Sequence, residues 1–152
     1  MNRYEELLDE ASNEGIMIYD NYDMTDTRFK GLYCDGSVAL SKDLVTTADH
    51  VSIMAEELGH HYTTTGNITD QSNSDNRKQE AHARLWAYNK VIGMSGIISA
   101  YKSGCRTVSD IAEHLTVSEE FLKDAIEKYK DKYGLYVIYD HYVIYLDPLM
   151  VL

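Results

Sequence analysis

The chain has 152 residues, with 14 basic and 25 acidic side chains and a formal net charge of −11; that length suits one domain, or a small domain with an appended module. Hydrophobic residues make up 44% and charged residues 26%, a globular composition that excludes extensive disorder. The acidic balance opposes non-specific binding to nucleic acid or to an anionic membrane, because both repel negative charge.

Residues 3–12 (RYEELLDEAS) carry leucines at helical spacing, and Asn13-Glu14-Gly15 ends that helix. Residues 16–23 (IMIYDNYD) read as a strand. Residues 29–33 and 37–40 follow as a hairpin turning at Asp35-Gly36. Thr46 or Thr47 caps the next helix, which runs from about Ala48 to Tyr62 and buries Val51, Met54, Ala55 and Leu58. The polar stretch 63–76 is expected to be a loop, long enough to be functional. A helical pattern over 76–102 is weakened at Gly93 and Gly96, where a kink or split is expected. Leu85 and Trp86 are expected in its core.

The last residues have their own pattern. Residues 107–115 and 118–134 read as two helices joined by a short turn, with Ser118 as cap and Gly134 as terminator. A hairpin around Asp140-His141 follows, and the whole is the layout of a winged helix-turn-helix. Its charge opposes DNA binding: residues 107–152 carry four lysines against nine carboxylates, a net of −5. Positioning of a protein substrate is the expected role. Many of the thirteen tyrosines are expected at the edge of the core with their hydroxyls in water. Cys34 and Cys105 are too few for a disulfide framework. With no leader-like opening and no apolar run of about 18 residues, the sequence reads as a cytosolic protein.

The chemistry lies in two words, Ala55-Glu56-Glu57-Leu58-Gly59-His60-His61 and Glu80-Ala81-His82-Ala83-Arg84-Leu85-Trp86-Ala87. Glu56 and His60 are four apart and share a helix face. Glu57 is turned by about 100° from Glu56 and can lean toward a ligand held between the pair. This is the geometry of H-E-x-x-H zincins, with two metal ligands at i and i+4 and a glutamate base at i+1. Carboxylate in the first position is an acceptable zinc ligand and gives a harder site, open to manganese or iron. Glu80 is the best third ligand. A fourth position is then left for water, whose proton Glu57 takes during attack on a carbonyl.

The bland alternative is an exposed Glu56/His60 ion pair. Gly59 argues against it, since a mid-helix glycine costs about 1 kcal/mol and needs a reason such as a close backbone. His61, paired with Glu57 at i+4, is the second-ranked ligand, and His61 and Tyr62 are possible accessory groups. His82 lies about 200° around the helix from Glu80 and cannot share its metal.

On these residues the sequence resembles the ImmA/IrrE family of zincin-like metallopeptidases. AEELGHHY (55–62) stands for the family's A-H-E-L-G-H helix and EAHARLWA (80–87) for its E-x-x-A-x-x-F-A helix. The resemblance implies an α+β fold with a minimal zincin-like core over 1–104 and a winged-helix-like module over 105–152. It implies His60 and Glu80 as zinc ligands and Glu57 as general base, with Glu56 in place of the first histidine. The implied activity is cleavage of a helix-turn-helix repressor of a phage or integrative element, in the cytoplasm of a bacterial host. The competing expectation is a catalytically degenerate member that binds the repressor without turnover.

Overall fold

The computed structural model describes residues 1–63 and 73–152. The fold is α+β, with two three-stranded sheets. The chain divides into two compact units, Met1–Ala87 and Tyr88–Leu152. Most of the polar stretch expected as a loop, residues 64–72, lies outside the described residues.

The first unit opens with α1 (Arg3–Asn13). Asn2 accepts a hydrogen bond from the Glu5 N–H at 2.8 Å, and the Glu5 carboxylate accepts one from the Asn2 N–H at 3.1 Å. This reciprocal pair satisfies two otherwise orphaned donors at the helix start. Strands β1 (Met17–Tyr22), β2 (Gly31–Cys34) and β3 (Ser37–Ser41) form a sheet in the order β1-β3-β2. The β2–β3 hairpin turns where the sequence places it. Asp35 and Gly36 both have positive φ, 45° and 80°, as a tight two-residue hairpin turn requires. β1 joins the other edge in parallel with β3, an arrangement the local pattern does not reveal.

Period-two alternation turns Val38 and Leu40 of β3 inward, both fully buried. Against them packs α2 (Thr47–Thr63), with Val51, Met54, Ala55 and Leu58 on its buried face as expected. Thr46 is its cap, accepting from the Asp49 N–H at 3.0 Å. α3 (Asn73–Val91) begins a few residues before the expected position, so the end of the polar stretch is already helical.

The long helical pattern splits, as the glycines predict. Gly93 takes φ +62°, which an L side chain adopts only with strain, and α4 (Gly93–Lys102) starts anew from it. Gly96 stays helical; a Cβ there would come 3.3 Å from Leu115 Cδ2, so its role is close packing.

The second unit continues with α5 (Val108–Leu115) and α6 (Glu119–Tyr133), joined through a left-handed Thr116. Thr107 caps α5 by accepting from the Asp110 N–H, and Ser118 caps α6 by accepting from the Phe121 N–H. Gly134 ends α6. Strands β4 (Tyr136–Tyr139) and β5 (Tyr142–Leu146) make the expected hairpin, and β6 (Leu149–Val151), which the sequence reading omits, adds a third strand. The core gathers Ile97, Ile111, Leu122, Ala125, Tyr129 and Ile144.

The compact units divide at 87/88, where the sequence suggests a boundary at 104/105, and α4 packs on α5. Tyr129 is fully buried, with its hydroxyl donating to Asn89 Oδ1 at 2.9 Å. One expectation changes. Leu85 and Trp86 are half-buried and not core. Among the described residues no helix is long and apolar enough to cross a membrane.

Candidate functional site

The motif on α2 presents Glu56, Glu57, His60 and His61 over little more than one turn. Glu57 points into the unit and is 8% exposed. Its neighbour is β2, an edge strand. The backbone N–H of Tyr33 donates to the Glu57 carboxylate. A Cβ built on Gly31 would lie 2.5 Å from Ile53 Cγ2 and 3.1 Å from both Cγ and Oε1 of Glu57. The glycine lets the strand pack closely on Ile53 and on the Glu57 side chain. Burial pushes the Glu57 pKa up to about 7; the charges of Glu56 and Glu80 add to this, while His60 and the Tyr33 N–H oppose it.

His60 and Glu80 meet across α2 and α3. His60 Nε2 lies 3.3 Å from Glu80 Oε1. The Glu80 contact holds the His60 pKa above its ordinary value despite partial burial, and holds the Glu80 carboxyl below its own. Gly59 makes this meeting possible. A Cβ at position 59 would overlap the carbonyl oxygen of Ala83 and lie 2.9 Å from its carbonyl carbon. The two backbones therefore touch one residue before His60 and three residues after Glu80. This is the close approach that a mid-helix glycine leads one to expect.

Glu56 is half-buried on the same helix, and its negative charge raises the pKa of both Glu57 and His60. The structure brings His60 and Glu80 into contact. Among the described residues no three His, Cys, Asp or Glu side chains are gathered closely enough to hold a metal ion. The His60–Glu80 pair still fits two positions of such a site. Two ligands of a tetrahedral zinc, each about 2.0–2.1 Å from it, stand about 3.3 Å apart.

His61 turns elsewhere. Its Nδ1 lies 2.9 Å from the Tyr33 hydroxyl, and its Nε2 lies 3.8 Å from Glu14 Oε2 at the end of α1. The Gly36 N–H donates to the same hydroxyl at 3.2 Å. His61 thus braces β2 against α1 and α2. Tyr62 stacks on Trp86, with ring centroids 4.8 Å apart and planes 21° apart, and so also ties α2 to α3. His82 is exposed.

Sequence reasoning did not single out Gly31, Tyr33 or Glu14 for this site. Gly31 carries a signal, since an isolated glycine inside a strand pattern often marks close backbone approach. Glu14 carries none, because it reaches His61 only through the tertiary fold. Compared with family models, with curated proteins and with solved structures, the chain matches none of them.

Proposed function

We propose that this protein is a metal-dependent endopeptidase of the zincin type that cleaves a helix-turn-helix repressor of a mobile element in a bacterial cytoplasm. The observation that carries the reading is the Glu57 carboxyl, buried against the Gly31–Tyr33 backbone and one helical turn from a His60–Glu80 pair at ligand spacing. The likeness of residues 55–62 and 80–87 to the ImmA/IrrE motifs supports the same reading. In it, Met1–Ala87 holds the zincin-like core and α5, α6 and the second sheet form a winged-helix-like module that positions the repressor.

Glu56, His60 and Glu80 would hold the ion, which when bound supplies Lewis-acid polarisation of the scissile carbonyl and of water. Glu57 receives the proton of the attacking water and returns it to the departing amine. A carboxyl with a pKa near 7 exchanges a proton in both directions at neutral pH, whereas an ordinary carboxylate is too weak a base. The Tyr33 N–H fixes the carboxylate while it does so, and the Ala83–Gly59 crossing holds His60 and Glu80 together.

The test is cleavage of a purified helix-turn-helix repressor, sought first among the genes that neighbour this one. Wild type is expected to cut it, to stop on chelation and to recover with zinc. Glu57→Gln is expected to lower the rate by about 10²–10⁴-fold. A second reading, a repressor-binding protein without turnover, draws on Glu56 standing in the zincin histidine position. Repressor binding with no product from wild type would select it. Neither binding nor cleavage would remove both.

A further inference from the structure

We infer that Tyr33 is a positioning residue for Glu57: its side chain, gripped by His61 and by the turn at Gly36, holds strand β2 at a fixed distance from the carboxyl on α2. For the reaction, this rests on Glu57 as the base of the proposed peptidase. β2 is an edge strand, and among the described residues no strand flanks its outer side. Alternation puts Gly31 and Tyr33 on the face toward α2, and Leu32 and Cys34 on the other face, where both are exposed. Gly31 has no side chain. Tyr33 is therefore the residue of β2 whose side chain ties the strand to α2.

Strand and helix meet at two matched points. The Gly31 backbone packs on the Glu57 side chain. The Tyr33 hydroxyl lies 2.9 Å from His61 Nδ1, with the two rings edge to face and their centroids 5.5 Å apart. Glu57 and His61 are four residues apart on α2, a rise of about 6 Å. Gly31 and Tyr33 are two apart on β2, a rise of about 6.7 Å. The contacts therefore fall in register, glycine on the carboxyl and tyrosine on the imidazole one turn further on. Contact at a glycine limits how near the strand can come, but it does not keep the strand from moving away. The tyrosine supplies that hold.

Both ends of the grip are fixed in turn. The Gly36 N–H donates to the Tyr33 hydroxyl at 3.2 Å, and the Gly36 carbonyl accepts from the Met17 N–H of β1 at 3.1 Å. His61 Nε2 lies 3.8 Å from Glu14 Oε2 at the end of α1. The strand then aims its backbone at the site. Ser41 donates to the Lys30 carbonyl at 2.9 Å, so by alternation Leu32 and Cys34 exchange their bonds with Ala39 and Ser37 of β3. The N–H groups of Gly31 and Tyr33 face the open edge, where that of Tyr33 meets the Glu57 carboxylate.

Amide exchange of the metal-free full chain, wild type against Tyr33→Phe, tests this. The amides at 32 and 34 bond to β3 and the one at 33 does not, so a loosened grip and a general loss of stability leave different patterns. Removing the hydroxyl is expected to speed exchange at position 33 by at least about tenfold and to leave 32 and 34 unchanged. Equal acceleration at all three positions, or none at 33, overturns the inference. His61→Ala should give the same pattern, and the double variant should add nothing to either single, because all three break one contact. Additive effects overturn it too. On the repressor, Tyr33→Phe should lower kcat by about 10–100-fold with KM nearly unchanged, since the base is displaced while substrate contacts remain. An unchanged kcat, measured against a wild type that cleaves, overturns the positioning role. A wild type that cleaves nothing removes the peptidase reading instead, and the amide pattern then decides whether Tyr33 holds the strand on Glu57.

Discussion

Glu57 changes charge near neutrality because its surroundings disfavour the carboxylate. Its value of about 7 lies above the ordinary 4.5 of the unfolded chain. The stability this group contributes is therefore complete below 4.5 and is lost as pH rises through about 7. His60, also raised, loses its contribution on rising pH through its folded value; Glu80, lowered, loses its own as pH falls through its depressed value. In metal-free protein, Glu57→Gln keeps the shape without the charge. It should exceed wild type in stability at about pH 8 by up to about 3 kcal/mol, with the gap closing by about pH 5. Urea unfolding at the two pH values checks this, and a gap of equal size at both would be wrong for a buried, titrating carboxyl. The motif residues were legible because helical spacing alone puts Glu56 and His60 on one face. The cause of the Glu57 shift was not, since Gly31 and Tyr33 lie on a strand whose distance from α2 no local pattern encodes.

At the scale of elements, the α2–α3 crossing depends on one absent methyl group. Gly59→Ala forces a Cβ into the Ala83 carbonyl, so the helices must part. The expected cost is about 1–3 kcal/mol in thermal unfolding. A second readout is specific to the site: the His60 ring, followed by NMR, should lose its upward pKa shift as Glu80 withdraws. A Gly59→Ala protein with wild-type stability and an unchanged His60 titration would show that the crossing does not set the pair. In the second unit, Tyr129→Phe should cost about 1 kcal/mol, the net worth of the hydroxyl bond to Asn89. Most elements could be read from the sequence because caps and terminators stand where helices begin and end: Thr46, Ser118, Gly134. β6 could not, because three residues after Pro148 are too few to show a period. The parallel β1–β3 pairing could not either, because it joins segments across an intervening strand.

At the scale of the whole chain, the two units differ from the division that Gly104 suggests. Met94, Ile97, Ile98 and Ala100 of α4 are buried, and α4 packs on α5 and on the second sheet. A fragment of residues 88–152 should therefore unfold cooperatively, whereas a fragment of 105–152 should not, as followed by circular dichroism on heating. Equal behaviour of the two would place the boundary after α4. A loop-forming glycine is visible in sequence; the side on which the preceding helix buries its apolar face is not.

Cys34 gives this protein a natural observation point. It is exposed, whereas Cys105 is half-buried. Alternation along β2 turns Gly31 and Tyr33 toward α2 and sends the Cys34 thiol out through the opposite surface of the sheet. A fluorophore coupled there, with Cys105→Ser to prevent double labelling, rides on the same ribbon that cradles Glu57 yet touches none of the groups proposed to do chemistry. Its emission would follow peptide engagement in real time, without a tag, and without trimming any side chain the reaction needs.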